Sequence, residues 1–362
     1  MSYKCIAALS VILLSASSLQ AEAPQYRSGD ISVIRASADE PLREEFSLAA
    51  AKDYLTKGSR VWMEKNKCVS CHTDGVYMQL APSLGDMFGE HVKTTRDLFA
   101  KKVAKLKESP TSSLTSGIKP TEIAYIAQGL ASWDKHNGGK LSAETKDALD
   151  LMLAVQSADG SFSNAVCWPP LESSNYHSAT VAAMALRAAP EYLKQLDDKQ
   201  QAKVELLKNY LRDTKPPHDY ARVLLLWAST KWEGLLDDSR QKNIVEMILS
   251  RQNDDGGWAM RDFAKPEQWG DGTRADKLKA EPRYKNPPSD GHQTGLAVMV
   301  LREAGIKADR KEIKAAVKWL KSNQRESGRW WTRSLSTDGS HYITYSGTFY
   351  PLIALQKCGE LD

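Results

Sequence analysis

Apolar residues along this 362-residue chain recur at the helical period, in two alternating grades. Ile313, Val317 and Leu320 form one stripe with lysines on the opposite face, the pattern of a helix lying on an outer surface. The stretches Ala179 to Leu186, Val223 to Ala228 and Leu296 to Leu301 are apolar nearly all round and require burial on every side. Three segments repeat one order: amphipathic helix, Gln, Gly turn, aromatic residue, apolar helix. Their turns are Gln156 to Phe162, Gln252 to Trp258 and Gln324 to Trp330. Periodicity predicts helices over 46–66, 76–88, 94–107, 120–133, 142–155, 177–188, 202–212, 218–230, 239–251, 292–304, 310–323 and 343–357. Paired in sequence, they make six hairpins, an outer ring wrapped around an inner ring.

The third copy, Lys314-Ala315, Trp319-Leu320, Gln324 and Gly328-Arg329-Trp330, resembles the Gln-Trp repeat of the squalene and oxidosqualene cyclases, and those at Gln156 and Gln252 are weaker versions. The resemblance covers residues 142–362 and implies an all-α fold, an (α/α)6 toroid of terpenoid cyclase type, shared with prenyltransferase β-subunits and some polysaccharide lyases. It also implies a structural Gln that ties the end of one helix to the start of the next. Cyclase chemistry does not follow. The D-x-D-D acid motif is absent, and Asp254-Asp255 reads as turn chemistry. The D-x-C of prenyltransferase zinc sites is absent too.

One pentapeptide belongs to no cyclase pattern. Cys68-Val69-Ser70-Cys71-His72 is a C-x-x-C-H sequence, in which two thiols can attach to the vinyl groups of one haem c and the adjacent imidazole ligates its iron. A zinc reading needs further ligands at short spacing, and no second C-x-x-C or H-x-x-x-H follows. At the N-terminus, Lys4, the apolar run Ile6 to Leu14 and small residues through Ala23 read as a signal peptide over 1–23. Export, to the bacterial periplasm, is consistent with covalent haem. Residues 24–45 lack apolar periodicity and read as a flexible segment; 46–362 form the toroid, with 46–135 as its haem-bearing part. On this reading the haem motif replaces the Gln–Gly turn of the first hairpin. The alternative is a separate cytochrome c domain over 46–135, with Pro82-Ser83-Leu84-Gly85 as its post-haem loop; the lack of methionine between Phe88 and Pro120 argues against it.

Candidates for the iron's other face are Met78, Met87 and His91, and three histidines just ahead of inner helices, His177, His218 and His292. Inner-helix starts share a rim with the haem turn, so these histidines are expected at a common mouth. The insertion between Trp258 and His292, rich in Trp, Arg, Asp and Pro, reads as an ordered lid. Basic residues cluster from Lys93 to Lys107 without interleaved aromatics, which favours a solvated helix face over nucleic-acid binding. With 49 basic and 45 acidic residues the net charge of +4 is small, and no membrane-length apolar stretch follows the signal. Cys167 and Cys358 can pair in an oxidising compartment. The expected function is electron transfer to a redox partner protein. The alternatives are a haem-dependent oxidoreductase acting on an apolar or isoprenoid-like small molecule and, further off, a carbohydrate-active toroid.

Overall fold

A computed structural model of the chain describes residues 26–66, 69–166, 170–171, 174–336 and 342–361. The elements in order are α1 (Leu48–Asn66), α2 (Asp74–Leu80), α3 (Glu90–Lys107), α4 (Lys119–His136), α5 (Ala143–Ala154), α6 (Asn175–Ala188), α7 (Pro190–Leu193) and α8 (Asp198–Asp213). They continue as α9 (Asp219–Ser229), α10 (Asp238–Leu249), α11 (Ala275–Lys279), α12 (Gly291–Glu303), α13 (Lys311–Ser322) and α14 (Tyr342–Lys357). Among the described residues no helix is long and apolar enough to cross a membrane.

The nearly all-apolar helices form the inner ring. α2 packs on α4, α4 on α6, α6 on α9, α9 on α12, α12 on α14, and α14 back on α2. On α12 every residue from Gly291 to Leu301 is buried, whereas outer α13 buries only Ile313, Ala316, Trp319 and Leu320. The fold is therefore an (α/α)6 toroid, closed through the first hairpin: α1 and α2 both touch α14. All six inner helices run the same way, so one end of the toroid collects their N-termini and the other their C-termini.

The repeated turn explains how the ring holds. In each copy the Gln Nε2 donates to the Gly carbonyl of its own turn and to a carbonyl in, or just before, the next outer helix. Gln156 reaches Gly160 and Lys203 (both 3.0 Å), and Gln252 reaches Gly256 (2.8 Å) and Glu312 (2.7 Å). Gln324 reaches Gly328 (2.8 Å) and Ser47 (2.9 Å). The turn glycine lets the chain lie against that next helix. Gly328 has φ +93°, and a Cβ there would sit 2.2 Å from the Ala50 backbone. Trp258 and Trp330 then donate their indole N–H back to Ile248 and Leu320 (2.7 Å each), closing the outer-helix ends.

Three features depart from the sequence expectation. The helix expected over 76–88 is α2 followed by a 3-10 segment, Ala81–Phe88, because Pro82 enters and Gly85 at φ +61° breaks the α-helical path. The short helices α7 and α11 carry no separate periodicity. The segment expected to be a flexible tether is folded from Tyr26 onward, as a small hairpin (β1, Arg27–Ser28; β2, Ile31–Ser32) against α1. Its anchor is polar: the fully buried Arg329 donates to the carbonyls of Ile34 (2.6 Å) and Arg35 (2.7 Å) and pairs with Glu40.

Candidate functional site

The N-terminal end of the inner ring gathers the candidate residues. α1 ends at Asn66 and α2 begins at Asp74, so the C-x-x-C-H stretch is their connection. Cys68 lies outside the described residues. The turn is tightened by Gly75 N–H to Ser70 O (2.7 Å) and Thr73 N–H to Ser70 Oγ (3.2 Å). Gly75 is required there, since a Cβ would meet Ser70 O at 2.6 Å and the Tyr125 ring at 2.8 Å. Cys71 and His72 are both buried. The Trp62 ring meets His72 edge-on at 4.6 Å, and Thr73 Oγ1 lies 2.8 Å from His72 Nδ1. A hydroxyl holding Nδ1 directs any metal ligation to Nε2.

Asp74, the next residue, is fully buried, and neither carboxylate oxygen has a hydrogen-bond partner. Burial raises its carboxyl well above the ordinary range. On α12, Gln293 is likewise fully buried with both amide atoms unpartnered.

The three histidines sit at the starts of α6, α9 and α12, inside the protein rather than around an open mouth. His177 Nε2 is 2.8 Å from Tyr125 Oη, and its Nδ1 has no partner. His292 has both nitrogens committed, Nε2 to Tyr220 Oη (3.0 Å) and Nδ1 to Ser346 Oγ (2.9 Å). His218 caps α9: its Nδ1 accepts the Ala221 N–H at 3.0 Å, while Nε2 is unpartnered. Burial pushes His177 and His292 down to about 3 and His218 to about 4, so all three are neutral at pH 7.

The insertion covers His218. Its Trp269, 1% exposed, packs 5.0 Å from the His218 ring and 5.6 Å from Tyr220. Arg261 pins the same segment through a bidentate pair with Glu281 (2.6 and 2.7 Å) and bonds to the Arg333 and Ser334 carbonyls. The segment is folded and anchored at both contacts. Asp290, which caps α12, also receives the Met260 N–H; burial raises it to about 6.

The remaining candidates are scattered. Met78 is fully buried on α2, where Gly129 of α4 leaves room for it. Met87 is half-buried in the 3-10 segment. His91, at the start of α3, packs 5.0 Å from Tyr77; its Nε2 is buried and unpartnered, and desolvation lowers it to about 4. Among the described residues no three His, Cys, Asp or Glu side chains converge to hold a metal ion. Asp255 does turn chemistry, accepting from Gly257 N–H (3.0 Å), Ser289 Oγ (2.6 Å) and Trp319 Nε1 (3.1 Å). In the basic cluster, Arg96 and Lys107 pair with Glu144 (3.0 Å) and Asp147 (2.7 Å) of α5. Cys167 lies outside the described residues, and Cys358 carries a half-buried free thiol.

Sequence reasoning did not single out Asp74, Tyr125, Tyr220, Gln293 or Ser346. A local signal existed for two of them: Asp74 follows the C-x-x-C-H stretch, and Tyr220 follows His218 by two.

Residues 220–360, from α9 past the end of α14, match the family model of the squalene-hopene cyclase C-terminal domain. The matched span holds the turns at Gln252 and Gln324 and excludes the C-x-x-C-H stretch. No curated protein matches the chain.

Proposed function

We propose that this chain is an exported, periplasmic c-type haem protein that carries electrons for a redox partner, with its haem attached at one end of a cyclase-like toroid. The observation that carries the reading is the Cys68-Val69-Ser70-Cys71-His72 sequence in the α1–α2 turn, with the His72 Nδ1 already engaged by Thr73. The donor set fits the group. A buried thiol and a buried imidazole stand in a segment whose Val69, Val76, Tyr77 and Met78 are buried as well. Cys68 and Cys71 would hold the macrocycle and His72 the iron; the bound haem supplies a one-electron couple. Thr73 acts as a positioning residue, fixing the ring's orientation.

A second reading rests on its own observation. Asp74 and Gln293, buried on two inner helices, leave four unpartnered polar atoms, which suits a polar group of a bound molecule. The chain would then be a haem-dependent oxidoreductase acting on a small, largely apolar molecule held in the toroid.

The test is expression in a host that matures c-type haem, followed by denaturing electrophoresis and absorption spectra. Haem should stay with the denatured chain and be lost when Cys68 and Cys71 are both changed to Ala. Haem that survives denaturation in that variant, or never attaches to the parent, overturns the assignment. Adding carbon monoxide to the reduced protein separates the two readings, since rapid binding marks an open iron site and favours the oxidoreductase.

A further inference from the structure

The opposite end of the toroid carries a feature that the haem reading does not use. There the C-terminal ends of all six inner helices converge on a cavity of about 200 Å3. Its lining is mixed: Leu80, Met184, Trp227, Met299 and Ile353, from five different helices, supply apolar surface beside Gln79, Ser83, Gln128 and Ser132. Its rim is cationic: Lys135, Arg187, Lys231 and Lys357 stand there with a single acid, Glu303. Glu303 pairs with Lys231 (2.6 Å) and Lys357 (2.7 Å), so the rim keeps an excess of positive charge.

Cations at helix C-termini complement the macrodipole, and that alone accounts for one basic residue per helix end. Two observations go further. The cations crowd the opening: Lys135 is held below its ordinary value, first by partial burial and then by the charge on Lys231, with Glu303 opposing and Lys357 and Arg187 adding smaller repulsions. Below that rim, Met184, Trp227, Met299 and Ile353 from four inner helices face one cavity beside Gln128 and Ser132, whose hydroxyl is spent on the Gln79 carbonyl. An excess of cations around an opening whose interior offers this apolar surface describes a built site.

We infer that this end of the toroid binds a small anionic amphiphile, its oxyanion headgroup held by Lys135, Arg187, Lys231 and Lys357 and its short apolar body lying against Met184, Trp227, Met299 and Ile353. The headgroup is a carboxylate or a phosphate, both of which offer oxygens to lysine and arginine donors. The cavity is narrow, so the apolar part is a short chain rather than a polyprenyl tail. The site does not depend on whether haem is present.

The experiment is calorimetric titration of the full mature chain, at low ionic strength, with four probes: hexanoate, hexyl phosphate, hexanol and inorganic phosphate. One of the two anionic amphiphiles should bind at least tenfold more tightly than both hexanol and inorganic phosphate, and which one does identifies the headgroup. Lys135→Gln, at an exposed rim position, should weaken that binding about tenfold, the size of one charge-assisted contact, and leave thermal stability unchanged. Met299→Gln should weaken it through the apolar wall. A change in Trp227 emission on binding, lost in Trp227→Phe, gives an independent readout. Failure of both amphiphiles to bind, inorganic phosphate binding as tightly as either, or indifference to Lys135→Gln would each overturn the inference and leave the rim as helix-end capping alone.

Discussion

Gln324 and Ser47 join the last repeat to the first: the Gln324 Nε2 donates to the Ser47 carbonyl at 2.9 Å, and its Oε1 accepts the Ser47 N–H at 2.7 Å. Both bonds cross the point where the ring closes, and Gln324 is fully buried. Gln324→Ala would strand the Ser47 N–H and the Gly328 carbonyl together, while the Ser47 carbonyl keeps the Ala51 N–H (3.2 Å). Unmet buried groups cost about 1–3 kcal/mol each, so we expect a loss of about 3 kcal/mol in urea unfolding. Gln156→Ala, at a partly buried turn away from the closure, should lose less. Equal losses at the two sites would mean that ring closure carries no special weight.

A pair of glycines separates backbone conformation from crowding. Gly328 (φ +93°) and Gly305 (φ +88°) both occupy the left-handed region, but only at Gly328 would a Cβ strike a neighbour, the Ala50 backbone at 2.2 Å. Gly305→Ala should therefore lose about 1 kcal/mol, from conformation alone. Gly328→Ala adds displacement of a packed helix, and about 4 kcal/mol is expected. Denaturant midpoints of the two variants check this, and similar values would show that the turn can slide on α1.

The hairpins are legible in the sequence because each rests on local periodicity and on a Gln–Gly–aromatic turn that recurs. Cys71 and His72 are legible for the same reason, as members of a contiguous motif. The burial of His177, His218 and His292 is not. A histidine at a helix start reads alike whether it faces a mouth or a closed core, and partners from distant segments decide: Trp269 against His218, Tyr125 against His177, Tyr220 and Ser346 against His292. The cationic cavity is equally hidden, since each inner helix lends it only a few residues. Residues 26–45 read as a tether because their anchor is Arg329, a polar residue in the last repeat.

That anchor makes the N-terminal segment part of the stability of the whole. Arg329 is fully buried, with Glu40 and the carbonyls of Ile34 and Arg35 as its partners. Deleting residues 26–40 would leave a guanidinium without its counter-charge, which destabilises by about 3–5 kcal/mol. Arg329→Met in the shortened chain should recover part of that loss. If truncation alone leaves thermal unfolding unchanged, the segment is dispensable and the ion pair is not what orders it.

The same closed core should make the protein acid-sensitive through its histidines. His177 is depressed to about 3 by burial, whereas in the unfolded chain it returns to about 6.5. Between those values the unfolded state binds the proton and the folded state does not, so stability rises with pH across this window and is lost on acidification below about 6.5. Integrated from pH 6.5 to 5, one such group accounts for about 2 kcal/mol. His218 and His292 act in the same direction. Asp290 opposes them: raised to about 6, it keeps its proton in the fold where the unfolded chain releases it, so its contribution falls as pH rises through about 4 to 6. His177→Gln removes one histidine from this sum. The variant should start weaker at pH 7, having lost the Tyr125 contact, yet lose about 2 kcal/mol less than the parent between pH 7 and pH 5 in urea unfolding. Parallel losses in the two proteins would place His177 in contact with solvent and undo the closed-core description of this end of the toroid.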